Sequence, residues 1–137
     1  PHPPEREKDQ FGVAPHTDYG CVTLLWQDGI GGLDVQGADG AWIPAPPIPD
    51  TLIINIGDLL CRWSNQRYKS NMHRVTNRSG KERLSIATFY DPDYDAVVDP
   101  RVLNLPAQAA PLFPPVSAGD YIIGRISASQ KPKISRP

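Results

Sequence analysis

Leu52-Ile53-Ile54-Asn55-Ile56, closed by Gly57-Asp58, carries the strongest strand signal in the chain. The run is aliphatic, mostly β-branched and too short for a helix, so it suits a pleated, buried surface. It predicts a buried strand that turns at Gly57-Asp58 into a single helical turn over Leu59 to Trp63. Upstream, Val22-Thr23-Leu24-Leu25-Trp26 reads the same way, bounded by Tyr19-Gly20 and Gln27-Asp28-Gly29. Leu33-Asp34-Val35-Gln36 alternates, and Asp39-Gly40 supplies hairpin chemistry into Ala41-Trp42-Ile43. Phe11 to Ala14 is a short extended piece running into Pro15-His16-Thr17-Asp18, and the prolines between Pro44 and Pro49 make a rigid surface loop.

Downstream, Asn71 to Thr76 and Arg83 to Tyr90 are two further strands joined by the turn residues Asn77-Arg78-Ser79-Gly80. Ala96 to Val98 is one short extended piece, and Pro100 to Pro115 reads as irregular. The tail changes character. Ser117 can cap a helix over residues 117–129, where Tyr121, Ile122, Arg125, Ile126 and Ser129 recur at helical spacing. Pro (16) and Gly (11) together form about a fifth of the 137 residues, which suits many short strands and excludes a helical bundle. The expectation is one all-β domain over residues 1–137 with a C-terminal helix.

Charge narrows the function classes. Fourteen Lys and Arg against fifteen Asp and Glu leave a net charge of −1, which argues against nucleic-acid or anionic-membrane partners. No window approaches the run of apolar residues that a membrane span needs. Cys21 and Cys61 are too few and too far apart for a disulfide framework or a zinc knuckle, and read as reduced structural thiols of a cytoplasmic protein. The opening Pro1-His2-Pro3-Pro4-Glu5-Arg6 has neither signal-peptide nor transit-peptide character, and the sole Met is Met72, so the chain reads as a piece of something longer.

His16 and Asp18 are two apart, and on a strand such positions share a face. His73 lies on another predicted strand. Two imidazoles and one carboxylate, with positions left open, suit non-haem Fe(II) and its oxygen chemistry. Taken alone, His16-x-Asp18 reads as an ordinary hydrogen-bonded surface pair. Arg83 and Ser85 are again two apart on one strand face. An enclosed guanidinium needs an anionic partner: either a ligand carboxylate, also held by the Ser85 hydroxyl, or a cross-strand acid such as Asp58.

Considered together, these segments resemble the isopenicillin N synthase-like, plant-type branch of the Fe(II)/2-oxoglutarate-dependent oxygenases. The resemblance is carried by His16-Thr17-Asp18-Tyr19-Gly20, Thr23-Leu24-Leu25-Trp26-Gln27-Asp28, Gly31-Gly32-Leu33, Asn55-Ile56-Gly57-Asp58, Ser70-Asn71-Met72-His73-Arg74-Val75 and Arg83-Leu84-Ser85, in the family's order and spacing. It implies a double-stranded β-helix, or jelly roll, here incomplete at its N-terminal side. It implies that His16, Asp18 and His73 are the iron ligands, and that Arg83 and Ser85 grip the distal carboxylate of 2-oxoglutarate or a substrate carboxylate.

By the same resemblance, Asn55 and Asp58 form a hydrogen-bonded turn beside the metal strand, and Trp42-Ile43-Pro44 is a packing position. Phe89 and Leu25 line the substrate side. The family's usual Asn-Tyr-Tyr-Pro-Pro segment is represented only by Pro1-His2-Pro3-Pro4, with His2 at the last aromatic position. The implied cofactors are Fe(II), 2-oxoglutarate as co-substrate and dioxygen; the implied reaction is hydroxylation, desaturation or ring closure of a small molecule. Two alternatives are an oxidase of the same fold that needs no 2-oxoglutarate, and a truncated, catalytically silent interaction module. A monomer, or a weak dimer through an open sheet edge, is the expected assembly.

Overall fold

A computed structural model of the chain describes residues 11–103 and 110–130. The lead-in with His2 lies outside the described residues, as does part of the Pro100 to Pro115 segment. In chain order the elements are β1 (Val13–His16), β2 (Val22–Gln27), β3 (Leu33–Gln36), β4 (Trp42–Pro44), β5 (Ile53–Ile56), α1 (Asp58–Trp63), β6 (His73–Val75), β7 (Ser85–Tyr90), β8 (Val97–Val98), β9 (Val116–Ser117) and α2 (Ala118–Ser129), with a short 3-10 turn at Pro100–Leu103. The expected all-β body with one terminal helix is what forms.

One sheet has the order β1-β6-β3-β4, a second has β5-β2-β7, and β8 and β9 make a two-stranded ribbon. Every pairing is antiparallel. The hairpin expected at Asp39-Gly40 joins β3 to β4, with Gly40 at φ +81°. Gly32 needs its own left-handed conformation (φ +95°), and a Cβ there would stand 2.6 Å from the Thr76 carbonyl oxygen. That close approach is where β3 starts beside β6.

Register places the chemistry. His16 on β1 pairs directly with His73 on β6, past an irregularity that begins at Val13. On the central strand β2, Thr23 pairs with Asn55 on one side and Phe89 on the other. Because strand side chains alternate, those three share one face, while Ile54, Leu24 and Thr88 share the opposite one.

That opposite face corrects one expectation. Leu52 and Ile54 are 53% and 63% exposed, not buried. β5 is an edge strand with β2 as its neighbour, and Trp26 and Ile86 on the same sheet are also exposed. Among the described residues nothing covers this face. The buried cluster lies elsewhere: Cys21, Leu59, Val98 and Ala118 pack with Trp63, Tyr121 and Ile122 where α1, α2 and the β8–β9 ribbon meet. Trp42 is only half-buried, and its ring carries the Arg74 guanidinium 4.2 Å from the centroid, while Ile43 is exposed. Arg74 is itself paired with Asp34 at 3.0 Å, so this packing position is a cation–π stack and not apolar core.

The helix expected at residues 117–129 forms as α2, its Ser117 hydroxyl accepting from the Asp120 backbone N–H at 3.3 Å. The strands expected at Asn71 to Thr76 and Arg83 to Tyr90 form over the shorter spans of β6 and β7, and Arg83 precedes β7.

Candidate metal centre

His16 ends β1, and Asp18 lies beyond it in the irregular segment before the bend at Tyr19-Gly20, so the two do not share a strand face as the i, i+2 spacing suggested. The cross-strand pairing does that work for the two imidazoles, whose ring centroids are 4.2 Å apart. The irregular segment after β1 places Asp18 beside both rings. Its Oδ1 lies 3.6 Å from His16 Nε2 and 3.6 Å from His73 Nε2. One ligand-type atom from each of the three residues lies within 4.8 Å of the others.

Hydrogen bonding fixes which atoms face inward. His16 Nδ1 is 2.9 Å from the Ala14 carbonyl and His73 Nδ1 is 3.2 Å from the Asn71 carbonyl. A carbonyl only accepts, so Nδ1 is the donor in each ring and Nε2 is the ring nitrogen left facing Asp18, with a lone pair to offer in the neutral imidazole. On Asp18 the other oxygen is already taken: Oδ2 accepts from Thr23 Oγ1 at 2.5 Å and from Asn55 Nδ2 at 2.7 Å. Oδ1 is left facing the two nitrogens. Two imidazole nitrogens and a carboxylate oxygen converging in this way form a donor set for a cation. Two bonds of about 2.1 Å to a first-row divalent ion reach across the 3.6 Å gap from Asp18 Oδ1 to each imidazole nitrogen.

The residues therefore fit a divalent metal. The nitrogen and oxygen donors, without thiolate, suit Fe(II) with positions left open. Asn55 and Thr23 act as the outer partners that orient a ligating carboxylate. The sequence pointed to Asn55 but gave Thr23 no role, although a hydroxyl within the apolar run Val22 to Trp26 signals a buried polar partner.

The segment that carries Asp18 is tied down from below. Asp58 N–H donates to the Asp18 carbonyl at 2.8 Å, and Gly57 N–H to the Cys21 carbonyl at 2.9 Å. Gly57 is required by space: a Cβ would stand 2.2 Å from the Gly20 carbonyl oxygen and 3.0 Å from that of Asp18. Asp58 Oδ2 accepts from Thr17 Oγ1 at 3.0 Å and pairs with Arg125 Nη1 on α2 at 2.6 Å. Asp58 is thus not the partner of Arg83.

Arg83 finds neutral acceptors instead. Its Nε donates to the Gly31 carbonyl at 2.6 Å, Nη1 to Ser85 Oγ at 2.8 Å and Nη2 to Gln27 Oε1 at 3.1 Å. Desolvation pulls its pKa below the usual guanidinium range, opposed by the charge of Asp28. Asp28 is occupied by the backbone N–H groups of Leu84 at 2.6 Å and Ile30 at 3.0 Å, which hold its carboxyl below the usual carboxylate range. Arg83 and Ser85 do come together as the sequence suggested. Gln27, which also donates to the Ala45 carbonyl at 3.2 Å, is the neighbour that the sequence did not single out.

A cleft of about 430 Å³ opens beside His16 and Asp18, its lining completed by Tyr19, Phe89, Asp91, Ile122 and Ile126 among others. Phe89 takes its expected place there. Leu25 is not among the lining residues; α2 supplies Ile122 and Ile126 in its stead.

Comparison with known proteins gives this geometry its context. Residues 1–92 match the model of the 2OG-Fe(II) oxygenase superfamily. A 2-oxoglutarate-Fe(II) type oxidoreductase of Emericella nidulans is 41% identical over 126 residues, covering 91% of this chain and 36% of that protein. A full-length Neurospora crassa protein, solved in complex with alpha-KG, superposes with a TM-score of 0.83 at 37% identity over 90% of this chain and 39% of its own. JOX2, in complex with 2OG, Fe and JA, gives 0.76 at 39% identity over 83% of this chain and 34% of its own. The chain thus spans between about a third and two fifths of these relatives' lengths. Its sheets are those of a jelly roll, and the chain belongs to the 2OG-Fe(II) oxygenase superfamily.

Proposed function

We propose that the chain is the jelly-roll part of a non-haem iron oxygenase, in which His16, Asp18 and His73 hold Fe(II) and Arg83 with Ser85 takes the distal carboxylate of 2-oxoglutarate. When bound, the iron and its co-substrate supply the oxidising chemistry: dioxygen is consumed, 2-oxoglutarate leaves as succinate and carbon dioxide, and a C–H bond of a small molecule is oxidised. The carrying observation is the convergence of three lone pairs, two on Nε2 and one on Oδ1, with each partner atom already engaged.

The chain's residues do the positioning. Thr23 and Asn55 hold Asp18 so that one oxygen faces the metal. Arg83, aligned by Gly31, Gln27 and Ser85, presents a rigid fork to which a carboxylate adds a charge-assisted pair, about 1.5–3 kcal/mol net. Phe89, Ile122 and Ile126 limit water on the cleft side. The alpha-KG and Fe in the related structures support this reading.

The assembly is read as a monomer, or a weak dimer through the exposed edge strand β5, and the location as cytoplasmic. The two free thiols Cys21 and Cys61 support the latter. No helix among the described residues is long and apolar enough to cross a membrane.

The test is anaerobic addition of Fe(II) and 2-oxoglutarate, which should produce the weak visible charge-transfer band of a chelated oxo acid. Iron binding without that band would favour the oxidase alternative. No iron binding would favour the silent module.

A further inference from the structure

We propose that Arg125 is a positioning residue that latches α2 onto the metal loop, so that Ile122 and Ile126, with Phe89, form an apolar wall for the hydrocarbon part of a substrate. The inference rests on the iron-site reading above and adds to it the character of the substrate side.

The contact network is specific. Arg125 Nη1 pairs with Asp58 Oδ2 at 2.6 Å, and the same Asp58 oxygen accepts from Thr17, the residue between the ligands His16 and Asp18. The guanidinium carbon stands 4.8 Å from the Tyr19 ring centroid, on the other side of Asp18 in the chain. Arg125 Nη1 also donates to the Tyr121 hydroxyl at 3.2 Å. A freely exposed ion pair fixes little. Here the Asp58 side chain is only 14% exposed, and an aromatic face and a hydroxyl hold the planar guanidinium in one orientation.

Helix geometry turns that anchor into a wall. Residues 122, 125 and 126 lie three and four positions apart and so share one face of α2. Whatever fixes Arg125 against Asp58 and Tyr19 also sets where Ile122 and Ile126 stand over the cleft. Ile126 is 42% exposed there, an apolar side chain left facing open space beside the metal ligands. Coupling is reciprocal: ordering the His16–Tyr19 loop around an ion should tighten α2 through Thr17 and Asp58.

Hydrogen–deuterium exchange of the 137-residue chain over residues 118–130, with and without anaerobic Fe(II), tests this. Arg125→Gln should speed α2 exchange at least tenfold, keep Fe(II) affinity within threefold and abolish the slowing of α2 that Fe(II) causes in the parent. Arg125→Lys, which keeps the charge, should restore part of that slowing. Asp58→Asn should match Arg125→Gln, and the double variant should go no further. Unchanged α2 exchange in Arg125→Gln, or additive effects in the double variant, would overturn the latch. A parent that binds no Fe(II) but whose α2 still loosens in both single variants would sink the iron reading and leave the latch standing.

Discussion

His16 and His73 are direct partners across the β1–β6 ladder, their rings 4.2 Å apart and each Nδ1 spent on the carbonyl of the residue two before it. Strand pairing alone therefore sets the two candidate ligands side by side. The third candidate, Asp18, comes from the irregular segment after β1 and is held by side chains of two other strands. The centre depends on both sheets, and substitutions in either should reach it.

Asn55 offers the cleanest probe of that dependence. Asn55→Leu removes the 2.7 Å bond to Asp18 Oδ2 and frees the carboxylate to rotate. Fe(II) affinity, measured by anaerobic titration, should fall about 10- to 100-fold. Thr23→Val should do the same, because it removes the companion 2.5 Å bond.

Arg83→Leu should act on the co-substrate and not on the metal. Loss of a charge-assisted contact of about 1.5–3 kcal/mol corresponds to roughly 10- to 150-fold weaker 2-oxoglutarate binding. Fe(II) titration should be unchanged. Arg83→Lys should not restore binding, because one ammonium cannot serve the Gly31, Gln27 and Ser85 acceptors and a carboxylate in the same plane. Equal loss of iron and oxo acid in Arg83→Leu would make the residue structural.

Gly57→Ala should cost about 1–3 kcal/mol in urea unfolding. The added methyl would meet backbone, the Gly20 carbonyl oxygen at 2.2 Å, and backbone cannot swing aside as a side-chain tip can. Its displacement would also strain the Asp58 N–H to Asp18 carbonyl bond, so iron occupancy should drop with stability. A variant as stable as the parent would show that the turn is looser than this geometry requires.

Cys21 gives a pH signature. Burial, with the Asp91 carboxylate beside it, pushes its thiol from 9.0 up to about 11. The folded state holds the proton more tightly than the unfolded chain does, so this contribution is complete below pH 9 and is lost as pH rises toward 11. Stability by urea midpoint should decline across that window, and Cys21→Ala should flatten the decline. At about pH 8, below the ordinary thiol range, iodoacetamide should label Cys61 well before Cys21.

Much of this was legible in the sequence because the signals were local. The Asp39-Gly40 turn, the Ser117 cap and the apolar run of β2 each need only their own neighbours. The site residues were expected for a different reason: His16, Asp18, His73, Arg83 and Ser85 stand in motifs whose order and spacing resemble the oxygenase family, whereas each pair taken alone also reads as an ordinary surface or cross-strand pair. Burial was read less well. Ile54 has the composition of a core residue, but its exposure depends on what lies over the β5-β2-β7 sheet, which no local pattern encodes. Thr23, Gln27 and Arg125 were passed over because their partners come from other elements of the fold.

Iron content after anaerobic Fe(II) reconstitution and desalting is the most direct measurement. It should give one ion per parent chain and a near-complete loss in each of His16→Ala, Asp18→Ala and His73→Ala, with far-UV circular dichroism unchanged. Iron retained at the parent level in any one of the three folded variants would contradict the three-ligand centre.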